Sequence, residues 1–451
     1  MKSLFTLLVL LIIGPISYGQ IVFLNNPDWE QAAKKARSEK KLIFIHLESN
    51  NCQQCNEVAT QGFNETILKE KFEKHYVSIR VNTDTEMGHR LAEKFEIKGA
   101  PVSLFVDADG NILNRFNGST SAGFMYAQQA DIALGRRGEK KVKDFEKEYN
   151  SGSRSSKFLK EYIAKRKEMQ LPTDDLLEEY VGQLPVDSLK NYNVIKFIYM
   201  QGPSLDSRGY KMIQYTERKL IDSLYKSIPV QEAVAINNAI IETTFRNAVR
   251  NKNINLAHDL SRFIQNTYRP DFAKGSLASQ RSLLRYFYAV KDTVQYIQLA
   301  ENFLDYTHMR LTVDSLKRMD EKEMKIQQSR QIPGKLSHTM RISPPSQYFH
   351  IELNEHAWHF FEMAKKKGDL ENALKWSQQS MLFFDALNKD RQGSMSLGNP
   401  AYLDTYAQIL YKLGRKDEAI EWQTKAVSAQ KVTGMPSGSF EATLNKMKAR
   451  E

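Results

Sequence analysis

The 451-residue chain contains two cysteines, and they stand three apart in Cys52-Gln53-Gln54-Cys55. That spacing suits a reversible disulfide. Cys52 follows an apolar run, residues 42–47, that reads as a buried strand, and Cys55 belongs with a segment through residues 57–72 that reads as one helix. A thiolate at a helix N-terminus meets free N–H groups and the positive end of the helix dipole, which lower its pKa below the free value of ~8.5. The plainer alternatives are a structural disulfide or half of a metal site. With two cysteines a four-cysteine zinc site is excluded, whereas a site of two cysteines and two histidines is not.

The elements that must position such a pair are legible downstream. Lys98-Gly99-Ala100-Pro101 leads into an apolar run to Val106, then Asp107-Ala108-Asp109-Gly110-Asn111, then residues 112–116. Two strands joined through an Asp-Gly turn form a hairpin. A proline at the head of the first strand stands where no ladder N–H is needed.

From Trp29 to about Leu134 the chain resembles a thioredoxin-fold domain. The landmarks are Trp29 with a helix to Lys40, the strand 42–47, Cys52 and Cys55, and a strand over 76–81. Asn82-Thr83-Asp84, the segment 91–97, Gly99-Ala100-Pro101, Asp109-Gly110 and Gly118 complete the set. The subgroup it is similar to is the periplasmic thioredoxin-like domains at the reducing end of disulfide-interchange proteins. The resemblance implies that Cys52 is the exposed nucleophile and Cys55 the resolving thiol. It implies a cis Pro101 packed against the disulfide, with the Ala100 backbone pairing with an extended substrate segment. Three departures from the family pattern stand out. Asn51, at the substrate-facing position, replaces the usual Trp. Gln53-Gln54 replaces a Gly-Pro-like pair. His46 replaces a buried Asp. His46 lies mid-strand, on the face opposite Ile45 and Leu47, where it could accept the Cys55 proton if its pKa stays near ~6.5. The alternative is a buried histidine with one hydrogen bond and no chemistry.

The first residues have the form of a secretory signal. Lys2 precedes an apolar core over 4–16, broken at Gly14-Pro15, and small residues Ser17 and Gly19 precede Gln20. The core is shorter than the ~20 residues a spanning helix requires. Residues 1–19 are read as a cleaved leader, and the mature protein is expected in the periplasm. In that oxidising compartment a lone exchange-ready pair points to a redox agent. The net charge of +11 comes without a basic stretch interleaved with aromatics, so no nucleic-acid partner is expected. It favours acidic partners or anionic envelope surfaces. No cofactor or metal is expected: His356 and His359 stand beside Glu355 and Glu362, but HExxH is absent.

Beyond residue 139 helical periodicity dominates. Helices are expected over 156–168, 174–184, 186–199, 207–227, 229–249, 253–267, 276–290 and 293–307, with breaks at Gly and Pro. Gly368-Asp-Leu-Glu-Asn-Ala373-Leu374-Lys-Trp376 repeats as Gly414-Arg-Lys-Asp-Glu-Ala419-Ile420-Glu-Trp422, 46 residues later (368 to 414). Each unit follows a helix, 357–366 or 402–413, and this resembles tetratricopeptide repeats. Glycine is expected to end the first helix of each unit, with the Trp filling the gap between helices.

The expected organisation is a leader (1–19), an α/β thioredoxin-like domain (20–138) and an all-α helical region (139–310). A charged helix and loop insertion (311–350), tetratricopeptide-like repeats (351–432) and a tail (433–451) follow. The expected function is thiol–disulfide exchange with protein substrates, fed by a membrane-bound electron donor, with a peptide or protein held on the helical array. The rival is a binding or assembly protein with a static disulfide; a chaperone with a regulatory redox pair is the weaker third.

Overall fold

The computed structural model describes residues 20–25, 28–97, 99–330, 344–389, 397–434 and 437–449, with backbone only at 51, 53, 54 and 327–330. The expected leader therefore lies outside the described residues, as do 331–343 of the expected insertion. The chain forms two compact units, Met1–Ile240 and Ile241–Glu451.

The first unit opens with α1 (Trp29–Glu39), β1 (Leu42–Glu48), α2 (Gln53–Phe63), α3 (Thr66–His75) and β2 (Tyr76–Asn82). It continues with α4 (Glu86–Lys94), β3 (Val102–Val106), β4 (Ile112–Asn117) and α5 (Gly123–Gly135). The sheet order is β2-β1-β3-β4, with β1 parallel to β2 and antiparallel to β3, and β3 antiparallel to β4. The continuous apolar run of β1 is explained by burial on both faces. One face carries Phe44, Phe63, Phe72, Phe105 and Tyr126 under α2, α3 and α5. The other carries Ile43, Ile45, Ile79 and Leu104 against Ala32, Ala33, Ala36, Leu91 and Phe95 from α1 and α4. The hairpin is as expected: Asp107 Oδ1 accepts from the Asp109 and Asn111 N–H groups, and Gly110 has φ +84°.

The single helix expected over 57–72 is instead two. Glu65 is extended (φ −72°, ψ 131°) between α2 and α3. The break lets Phe63, Leu68 and Phe72 all reach the same core, which one straight helix over that span would not.

The unit continues through α6 (Val142–Asn150), α7 (Ser156–Glu168), α8 (Asp174–Gly182), α9 (Tyr192–Met200), α10 (Arg208–Tyr215) and α11 (Arg218–Ser227). Of the expected helices, 186–199 is shortened and 207–227 is divided. Asn191 caps α9 by accepting from the Asn193 and Val194 N–H groups, so 186–190 forms a separate 3-10 turn. Thr216, extended and buried, separates α10 from α11. α6 and α7 pack through Phe145, whose ring lies parallel to that of Tyr162 at 5.5 Å.

α12 (Val230–Arg250) spans the division between units. In the second unit follow α13 (Ile254–Thr267), α14 (Phe272–Ala289), α15 (Thr293–Phe303) with a π turn at Leu304–His308, and α16 (Val313–Arg330). Then come α17 (Pro345–Met363), α18 (Lys367–Leu387), α19 (Pro400–Lys412), α20 (Lys416–Val432) and α21 (Gly438–Lys448). α19 and α20 form an antiparallel hairpin: Tyr406 meets Trp422 at 4.9 Å, while Leu403 lies in one cluster with Ala426 and Ala429. Trp376 is buried against Phe360 at 4.7 Å, and its Nε1–H donates to Asp305. Both Trp residues therefore pack between helices, as their place in the repeated motif suggested. The two glycines are not equivalent, however. Gly414 ends α19 with φ +83°, whereas Gly368 lies inside the first turn of α18. It is Ala364, extended at ψ 138°, that ends α17.

Candidate functional site

Cys52 is the N-cap residue of α2, at the end of a 3-10 turn over Asn50–Cys52, and its sulfur is bonded to Cys55 one turn into the helix. Both cysteines are half-buried. The turn is tied down from β2 and its following loop. Asp84 Oδ2 accepts from the Asn50 N–H at 2.8 Å and from Ser49 Oγ at 3.4 Å, and Asn82 Nδ2 donates to Asn50 Oδ1 at 2.6 Å. From within α2, Asn56 Nδ2 donates to Ser49 O at 2.9 Å. The disulfide is thereby fixed at the C-terminal end of β1, where the dipole and free N–H groups of α2 favour a thiolate on reduction. Asn51 lies in the 3-10 turn beside Cys52; its side chain is not described.

The Ala100–Pro101 peptide is cis, and Pro101 immediately precedes β3. Because β3 runs antiparallel to β1, its start lies at the same end of the sheet as the C-terminus of β1, with Leu47 paired to Val102. Ala100 makes no main-chain hydrogen bond among the described residues. Its peptide edge can therefore accept an extended chain.

His46 lies on β1 beneath this site and is fully buried. Its Nδ1 is 3.0 Å from Ser103 Oγ, its ring meets Phe63 edge-on at 4.9 Å, and its Nε2 has no partner among the described residues. Burial, assisted by the Arg80 charge, pushes its pKa down to about 3. Of the two readings of His46, the buried imidazole with one hydrogen bond fits this environment: the ring is neutral, and a pKa near 3 makes it a weak acceptor for a thiol proton.

A charged pair beside the site is one that sequence reasoning did not single out. Arg80, opposite His46 in the parallel ladder, binds Glu48 through Nε at 2.7 Å and Nη2 at 2.6 Å. Its guanidinium also reaches Asn56 O, beside Cys55, at 3.5 Å. Asp84 and Asn56 were likewise missed as anchors. Asn82-Thr-Asp84 was visible as a landmark, but its role depends on a contact between residues 34 apart.

Among the described residues no group of three or more His, Cys, Asp or Glu is placed to hold a metal ion. His356 and His359 instead turn their Nδ1 atoms to the Tyr296 hydroxyl at 2.5 and 2.6 Å. No helix among the described residues is long and apolar enough to cross a membrane.

Residues 29–132 match the family described as thioredoxin-like domain. None of the curated proteins compared matches the chain. Among solved structures, the solution structure of a proposed disulphide-isomerase from Bacteroides thetaiotaomicron is similar at 23% identity. The match covers 27% of this chain and 98% of that one, with a TM-score of 0.23. Residues 29–132 are therefore a thioredoxin-like domain, and the Cys52–Cys55 pair stands at the head of its second helix.

Proposed function

We propose that this protein is a thiol–disulfide oxidoreductase acting through Cys52 and Cys55. The observation that carries the reading is the half-buried Cys52–Cys55 pair at the N-terminus of α2, at the same end of the sheet as the cis Ala100–Pro101 peptide. In the reducing direction the Cys52 thiolate attacks one sulfur of a substrate disulfide. The substrate S–S bond breaks, a Cys52–substrate bond forms, and the leaving sulfur departs as a thiolate that takes a proton from water. The Cys55 thiolate then attacks Cys52, forming the intramolecular disulfide and releasing the second substrate thiol. The domain has given up two electrons, so turnover requires a dithiol donor; in the proposed periplasmic setting that donor sits at the membrane. The same steps in reverse pass the disulfide to a substrate dithiol.

The leader pattern of residues 1–19 supports the periplasmic setting. The second unit is proposed to hold a peptide or protein partner. A cleft of about 690 Å3, lined in part by Met381, Leu403, Tyr406 and Trp422, supports that role.

The reading is tested with Cys55→Ser. Without the resolving thiol, Cys52 should accumulate as a mixed disulfide with substrate proteins, releasable by reductant and absent from the Cys52→Ser variant. Failure of Cys55→Ser to form any such adduct in cells would refute exchange through Cys52.

A further inference from the structure

β4 is the outer strand of the sheet, and its far edge would present unpaired backbone groups. Near the disulfide end that edge is met by the helical extension. Gln170 follows α7. Its Nε2 donates to Arg115 O at 3.3 Å, and its Oε1 accepts from Asn117 Nδ2 at 2.6 Å. The side-chain amide thus spans two positions of the strand on one side. The turn that presents it is fixed: Met169 is fully buried, and Leu171 N–H donates to Arg166 O at 2.9 Å. α7 itself is tied to the end of α5 by Glu168 with Arg136 at 2.6 Å, and to the linker that follows by Lys165 with Glu139 at 2.5 Å.

What β4 holds at this end is the cis-proline segment. Asn117 pairs with Val102, and the next residue, Gly118, donates its N–H to Pro101 O at 2.9 Å. A continuous path therefore runs from Gln170 through Asn117 and Gly118 to Pro101 and the free peptide edge of Ala100. We infer that Gln170 is a positioning residue for protein substrates: by clamping the end of β4 it fixes the Ala100–Pro101 edge against which an extended substrate segment pairs. The helical extension thereby takes part in substrate recognition. This rests on the thiol–disulfide reading above. A small disulfide touches only sulfur and has no use for the clamp.

The test uses Gln170→Gly and Asn117→Ala in the full chain. Gln170 has φ +56°, a conformation glycine adopts without strain, so the first variant removes the amide and leaves the turn. Reduction of insulin and of hydroxyethyl disulfide, with dithiothreitol as donor, is measured alongside the glutathione midpoint. Losing one net hydrogen bond should raise KM for insulin roughly fivefold. The rate with hydroxyethyl disulfide, kcat for insulin and the midpoint should not move. The double variant should be no worse than either single one, because both break the same contact. An unchanged KM for insulin in both variants overturns the inference, and so does an equal loss with both substrates, which marks general distortion. A wild-type protein that reduces neither substrate removes the thiol–disulfide reading itself; an active wild type matched by both variants removes only the role of Gln170.

Discussion

Replacing His46 by asparagine should abolish a pH dependence that the wild-type domain carries. The imidazole is fully buried and its pKa in the folded protein is about 3, against 6.5 in the unfolded chain. A depressed folded pKa means stability that is present above pH 6.5 and lost as pH falls toward 3, because the unfolded chain binds the proton first. At pH 5 the unfolded histidine lies 1.5 units below its pKa (6.5 − 5), which at about 1.4 kcal/mol per unit costs the fold about 2 kcal/mol. The asparagine of the variant does not titrate and retains polar atoms for Ser103. The variant should lose about 1 kcal/mol at every pH from the smaller volume, with no slope from this site. Hydrogen exchange of the β1 amides, corrected for intrinsic rates and followed from about pH 8 to about pH 5, reports the first unit alone. The wild-type curve should converge on the variant curve and cross it at about pH 6, where the proton uptake of the unfolded chain costs about 1 kcal/mol. Parallel curves across that range would refute a pKa near 3. A second consequence concerns catalysis: the pH–rate profile of thiol exchange should lack an inflection near ~6.5 that His46→Asn removes.

Two stability predictions follow from packing. Adding a methyl at Gly62 would place it 2.3 Å from Thr120 O and 2.9 Å from the Tyr126 ring. The helix-propensity gain of Gly62→Ala is up to ~1 kcal/mol, and the overpacking cost is ~1–3 kcal/mol. A clash with a backbone oxygen, which has little room to yield, puts that cost at its upper end. Urea unfolding should therefore show a net loss of about 2 kcal/mol, and an unchanged or stabilised variant would contradict the packing described. In the second unit, Glu352 binds Arg281 and the buried His308, the latter at 2.7 Å. Burial alone would raise its carboxyl pKa, but the hydrogen bonds from His308 and Arg281 prevail and hold it down to about 2. Glu352→Ala leaves those partners unpaired and should cost about 3 kcal/mol at neutral pH, measured by urea unfolding. That deficit should shrink as pH falls from 4.5 toward 2, where the wild-type carboxylate takes up its proton. A deficit that stays constant over that range would contradict the ion pair.

Much of the thioredoxin-like domain was legible because its signals are local. The CxxC pair, the six-residue apolar strand, the proline before β3 and the Asp-Gly turn each act within a few residues. What escaped was set by distance or by competition. The break at Glu65 arises because three aromatic and aliphatic side chains seek one core, a demand invisible in helical periodicity. His46 was placed on the correct face by alternation, but its loss of basicity comes from Phe63, Ser103 and Arg80, which lie 17, 57 and 34 residues away (63, 103 and 80, less 46). Aligning Gly368 with Gly414 assigned both one role, although only Gly414 adopts the left-handed conformation that needs glycine. The clamp at Gln170 joins residues 53 apart and carries no sequence motif.

The central claim is that Cys52–Cys55 exchanges rather than staples. Its most direct test is the equilibrium of the purified protein in glutathione buffers of set potential, quantified by thiol alkylation and mass. The account predicts fast exchange and a midpoint between roughly −120 and −270 mV. Slow exchange with a midpoint below about −300 mV would contradict it and identify a structural disulfide.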